Sequence, residues 1–147
     1  FRLLFWIALI AGVGHVALRR SGFGRRVLAT GGNSVAARFS GVRTDLTRVI
    51  AFTISGTTAA LGGLMLAGRS TAGNPSLGSG LELDVIAAVI IGGTSLFGGK
   101  GTIPGSVLGA IFIGIVGFGL LVMGFSTSIQ EIIKGGIIIA AVALARR

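Results

Sequence analysis

VIAFTISGTTAALGGLMLAG, residues 49–68, runs for 20 positions without a charge between Arg48 and Arg69. At about 1.5 Å of rise per residue a helix of that length covers about 30 Å, the thickness of a bilayer's hydrocarbon layer. Residues 101–130 make a second uncharged run of 30 positions, between Lys100 and Glu131. Backbone polar groups in lipid must be satisfied within the segment itself, so runs of this kind are read as helices. The composition agrees. Of 147 residues 52% are apolar, 27 are glycine and four are acidic, a balance far from that of a water-soluble domain. The expected fold is all-α, a polytopic transmembrane helical bundle.

Charge placement orders the bundle. Arg19, Arg20, Arg25, Arg26, Arg38, Arg43 and Arg48 fall between the first two apolar segments with Asp45 as the one acid among them, and Arg146 and Arg147 close the chain. Short loops rich in Arg and Lys stay on the cytoplasmic side, which puts residues 19–48 and the C-terminus inside. An even number of crossings then lies between them, and 49–68, 85–97, 103–123 and 128–145 supply it. With 3–18 added there are about five spans, N-terminus out and C-terminus in. The short one is 85–97. Its uncharged stretch, 85–99, yields about 22 Å of helix, so a re-entrant hairpin is the alternative, although the parity of the basic ends favours a crossing.

The +9 net charge is thus a topology signal rather than a nucleic-acid footprint, since no aromatic side chains alternate with the arginines to stack on bases. The absence of cysteine excludes disulfides and thiol-ligated metals. The chain starts at Phe1, directly in an apolar segment without a basic lead or a cleavage site, and reads as an internal piece, a fragment of a larger protein.

Small residues recur every four positions at Ser55, Ala59, Gly63 and Ala67, again at Gly101, Gly105 and Gly109, and more briefly at Ala88 and Gly92. Such stripes let helices approach closely where lipid supplies no hydrophobic drive. Pro104 suits a helix start. Trp6 suits an interfacial anchor, and His15, the single histidine, a satisfied interfacial residue. Glu131 and Lys134 are three apart and expected to pair on one helix face. Residues 69–84 form a polar outer stretch with Pro75 in a turn after Asn74. Glu82 and Asp84 stand at the membrane edge facing water or a protein cavity, and no partner histidine, metal ligand or nucleophile makes them catalytic.

GGTSLFGGKGT, residues 92–102, looks at first like a phosphate-gripping loop. Gly99 and Lys100 fit, but Thr94 stands where the first glycine belongs and Gly101 where a hydroxyl must hold magnesium. Among residues 19–45, Ser34 to Phe39 are expected to form a short helix, capped by Asn33 and ended by Gly41. A short helix displayed on the inner surface is a handle on which a motor subunit could pull.

RSGFGRRVLATGGNSVAARFSGVRTD, 20–45, followed by ELDVIAAVIIGGTSLFGGKGTIPGSVLGA, 82–110, resembles the C-terminal half of the permease subunits of bacterial ABC importers, specifically the ribose, xylose and related simple-sugar group. The likeness runs from about Arg19 to the end. It implies a multi-pass protein of the bacterial plasma (inner) membrane that is a transporter subunit rather than an enzyme, forming the translocation path for a simple sugar. By this resemblance Gly31, Gly32, Asn33, Ala36, Ala37, Arg38, Ser40 and Gly41 couple to the ATPase, and Asp84, Gly92, Gly93, Thr94 and Ser95 mark the path. No catalytic or metal-binding residue is implied.

The implied partners are an ATP-binding subunit, a periplasmic or extracellular solute-binding protein, a second permease subunit and the lipid bilayer. The chain itself binds no cofactor, ATP and Mg belonging to the partner ATPase. An uncharged sugar calls for hydroxyl and amide groups such as Thr57, Thr58, Asn74, Thr94 and Ser95. Branched-chain amino-acid or nucleoside ABC permeases are alternatives within the same architecture. An ion-gradient-driven secondary carrier, using short Gly-interrupted segments and the Glu131–Lys134 pair, is the alternative of another class.

Overall fold

In the computed structural model, residues 2–70, 73 and 78–145 are described. The elements are helices throughout: α1 (Arg2–Arg20), α2 (Gly22–Gly32), α3 (Ser34–Phe39), α4 (Thr44–Ser70), α5 (Leu81–Ile91), α6 (Ile103–Val122) and α7 (Thr127–Ala145). Asn74, Pro75, Arg146 and Arg147 lie outside the described residues.

Four of these helices, α1, α4, α6 and α7, are long and apolar enough to cross a membrane. The expected span 85–97 is helical only in its first part. Its helix is α5, which has 11 residues, starts earlier and stops at Ile91, about 16 Å in all. Gly93 explains the stop. With φ +84° it takes the left-handed conformation that closes a helix, its N–H donating to the Ile90 carbonyl at 2.9 Å and that of Thr94 to Val89 at 3.0 Å. The rest of the expected span belongs to an irregular connection, 92–102, which leads into α6. There Thr102 caps the first turn through its hydroxyl and Pro104 sits among the first helical residues, as expected.

α5 and α6 run antiparallel at backbone contact. Ala87, Ala88 and Ile113 form the buried cluster, flanked by Ile91 of α5 and Ile138 of α7. A β-carbon on Gly109 would overlap the Ala88 carbonyl, and one on Gly105 the Gly92 carbonyl. The small-residue spacing in 88–109 is therefore helix packing. Gly109→Ala is expected to destabilise the helix pair by about 2 kcal/mol through overpacking, while Gly114→Ala, which meets nothing within 4 Å, is neutral or slightly stabilising. Unfolding of the two variants in detergent, followed by circular dichroism against added SDS, measures the difference.

The stripe on α4 behaves otherwise. Gly63 has open space where a β-carbon would go, and no residue of the α4 span 49–68 is buried among the described residues. Its N-terminal end packs against α2 and α3, with Thr44 and Thr47 buried there.

α2 is an element that sequence reasoning did not anticipate. Ser21 starts it, accepting from Gly24 N at 3.1 Å while its own hydroxyl donates back to the Ala17 carbonyl. The corner with α1 is so tight that a β-carbon on Gly24 would overlap the Leu18 carbonyl. Trp6 of α1 is half exposed and meets Phe5 edge to face at 6.3 Å. His15 departs from expectation, its Nδ1 buried without a hydrogen-bond partner among the described residues.

Candidate functional site

At the arginine-rich end of the bundle the chain builds an elbow. Asn33 ends α2 and caps α3, its side-chain oxygen accepting from Val35 N at 3.1 Å and Ala36 N at 3.0 Å. Gly41, φ +83°, closes α3, with Gly41 N donating to the Arg38 carbonyl and Val42 N to that of Ala37, each at 3.0 Å. The expected short helix is present with both expected caps. Three residues on two faces then decide what it offers. Ala37 is buried, while Val35 and Phe39, four apart and hence on one face, are 63% and 88% exposed. An apolar pair this open on a helix bordered by arginines is available for a partner protein. Neither residue was among the sequence candidates, although the apolar i, i+4 spacing within a polar segment was a usable signal.

Arg38 points the other way from Phe39's role. Its guanidinium ion-pairs with Asp45 at 3.0 Å and donates to Thr44 Oγ1 at 3.3 Å, tying α3 to the first turn of α4. Both side chains are well exposed, so the pair orients α3 more than it stabilises the fold. Ser40 donates to the Ala36 carbonyl at 3.0 Å.

The remaining coupling candidates, Gly31 and Gly32, are exposed and on one side lie against Gly98 and Gly99 of the 92–102 connection. The two motifs that stand out in the sequence thus meet in space. Beside this contact a cleft of about 510 Å³ is lined by Gly93, Thr94, Ser95, Phe97, Lys100 and Val142, among others. Thr94 Oγ1 is 3.3 Å from Ser106 Oγ, and Ser95 N donates to the Lys100 carbonyl at 3.0 Å. Three of the expected path residues, Gly93, Thr94 and Ser95, therefore line one cavity, whereas Gly92 packs against α6. Thr57 and Thr58, also expected as sugar partners, turn their hydroxyls back onto the α4 backbone, to Thr53 at 2.8 Å and to Ser55 at 2.9 Å.

Asp84 lies elsewhere, at the opposite end of α5. It receives a hydrogen bond from Lys134 Nζ at 2.9 Å through Oδ2, with Oδ1 at 2.7 Å from the same ammonium but without a directed hydrogen bond. The expected Glu131–Lys134 pair is therefore corrected: Lys134 reaches across to α5, with its side chain against Gly117 of α6, and Glu131 is exposed beside Gly80. The physical reason is burial. Lys134 retains 14% and Asp84 29% side-chain exposure, and two charges removed from water gain more from each other than one gains from an exposed neighbour. Sequence spacing points only to partners on the same helix. Among the described residues no group of His, Cys, Asp and Glu could hold a metal ion.

The profile of the family described as branched-chain amino acid transport system / permease component matches residues 1–142. This chain belongs to that family. Within it, the chain is 44% identical to the xylose transport system permease protein XylH of Escherichia coli K12 over 140 residues, which is 95% of this chain and 35% of that protein. It is 42% identical to the ribose import permease protein RbsC of Bacillus subtilis 168 over 132 residues, 90% of this chain and 41% of the relative. A probable ABC transporter permease, YphD of Escherichia coli K12, is 44% identical over 124 residues, 84% and 37% of the two chains. The chain thus spans little more than a third of the length of these relatives. No solved structure matches it. The resemblance to ribose and xylose permeases read from residues 20–45 and 82–110 holds, as does the all-α membrane bundle.

Proposed function

We propose that this chain is part of the permease subunit of an ATP-driven importer of a simple sugar in the bacterial plasma (inner) membrane. The observation that carries the reading is the exposed Val35–Phe39 face of α3 on the arginine-bearing end of a membrane bundle, in a chain similar to xylose and ribose permeases. Arginine-rich short segments stay in the cytoplasm, so α3 meets an ATP-binding subunit there, and that subunit holds the ATP and Mg. A solute-binding protein delivers the sugar on the outer side, and a second copy of the permease completes the pathway. ATP binding favours one arrangement of the motor subunits and so one arrangement of α3; the helix bundle follows because each motor state binds α3 differently. The Thr94–Ser95 cleft serves as the inner mouth of the path, offering hydroxyls and the Phe97 ring to an uncharged sugar. Asp84 then acts at the other end of α5 as part of the ion pair that holds the path's wall.

The assembled transporter in proteoliposomes tests this. Labelled D-xylose and D-ribose are expected to enter only with ATP, the ATP-binding subunit and the solute-binding protein present. Leucine or nucleoside uptake under the same conditions moves the substrate to another class. Sugar uptake driven by an ion gradient without ATP removes the reading in favour of a secondary carrier.

A further inference from the structure

We infer that Gly31, Gly98 and Gly99 form a backbone-to-backbone joint that passes movement of α3 directly to the α5–α6 pair; the inference rests on the import reading above. A β-carbon on Gly31 would stand 2.7 Å from Gly99 N, and one on Gly98 would stand 2.5 Å from the Gly31 carbonyl oxygen. From Gly99 it would stand 2.7 Å from Gly32 Cα. Main chain therefore touches main chain with no side chain between them. Gly98 and Gly99 also have φ of +88° and +79°, so the turn holds its shape only with glycine at both positions.

The mechanical consequence follows from what stands on either side. On one side, Asn33 is at once the end of α2 and the cap of α3, so α3 is attached to Gly31 and Gly32 without a flexible linker. On the other, 92–102 connects α5 to α6, which are themselves in main-chain contact at Gly92–Gly105 and Ala88–Gly109. Contacts made by long side chains absorb a displacement of an ångström or two by rotamer changes. Contacts between backbones have no such slack, and close-packed elements transmit strain. The elbow, the joint and the α5–α6 pair thus move as one body, and the joint stands next to the Thr94–Ser95 cleft, which Gly32, Gly98 and Gly99 help to line.

The experiment compares alanine at three glycines of α2 in the assembled transporter. At Gly31 the added carbon meets immovable backbone; at Gly32 it makes an ordinary 3.8 Å contact with Gly99 Cα; at Gly22 it meets nothing within 4 Å. Labelled D-xylose and D-ribose uptake and ATP hydrolysis are measured together. For Gly31→Ala the sugar imported per ATP hydrolysed is expected to fall about tenfold, for Gly32→Ala by less, and for Gly22→Ala not at all. Equal ratios for Gly31→Ala and Gly22→Ala overturn the joint. Absence of ATP-driven uptake by the unsubstituted complex would instead overturn the import reading, so the two failures are distinct. If Gly31→Ala does not reach the membrane, spin labels at Ala29→Cys and Phe97→Cys, with any cysteine outside residues 1–147 replaced, measure the same link. Their separation is expected to stay within about 2 Å between nucleotide-free and ATP-bound states, and a larger change overturns the proposal.

Discussion

Lys134→Met, with Asp84 left in place, is expected to destabilise the bundle by about 3 kcal/mol, because it strands a carboxylate that is largely out of water. The 2.7 and 2.9 Å contacts between Lys134 Nζ and the two Asp84 oxygens are the only ion-pair link between α5 and α7 among the described residues. α5 is 11 residues long and gains little from propagation of its own hydrogen bonds, so its position depends on what it is tied to. Asp84→Asn should cost less, since an amide can still accept from the ammonium. The double replacement Asp84→Leu with Lys134→Met should recover most of the loss, a buried pair being often no better than well-packed apolar groups. SDS-induced unfolding in detergent, read by circular dichroism, gives the stabilities of these variants and, with the single Asp84→Leu variant added, the coupling energy between the two sites. A single-site loss below about 0.5 kcal/mol, the range of an exposed pair, would show the pair to be solvated.

Phe39→Asp is expected to weaken binding of the ATP-binding subunit at least about a hundredfold, or about 3 kcal/mol, the effect of removing an aromatic anchor from the centre of an interface. The ring is 88% exposed within the chain, and Asn33 and Gly41 hold α3 from either end, so the helix itself should persist. Phe39→Leu should retain most of the affinity, and Val35→Asp should behave like Phe39→Asp because the two side chains share a face. Affinity of the ATP-binding subunit for the permease in nanodiscs is the direct measurement. Unchanged affinity in both aspartate variants would place the contact elsewhere. Arg38→Ala offers a useful contrast. It releases α3 from Asp45 and Thr44, and should alter orientation and coupling more than affinity.

What could be read without coordinates was whatever depends on neighbours along the chain. Runs of 20 and 30 uncharged residues determine membrane helices because lipid cannot solvate a charge or an open backbone. The Asn33 cap and the Gly41 stop were legible because their hydrogen bonds span two to five residues. The small-residue spacing at Ala88, Gly92, Gly105 and Gly109 announced close packing for the same local reason.

Tertiary structure decided every partnership over distance. It paired Lys134 with Asp84, 50 positions away, where spacing pointed to Glu131. It left open space at Gly63 in the α4 stripe while packing Ala88, Gly92, Gly105 and Gly109 against one another, and it seated Gly31 on Gly99. A periodic pattern specifies which face a residue occupies, but the choice among possible partners depends on which faces the whole fold brings within a few ångströms, and that information is not local.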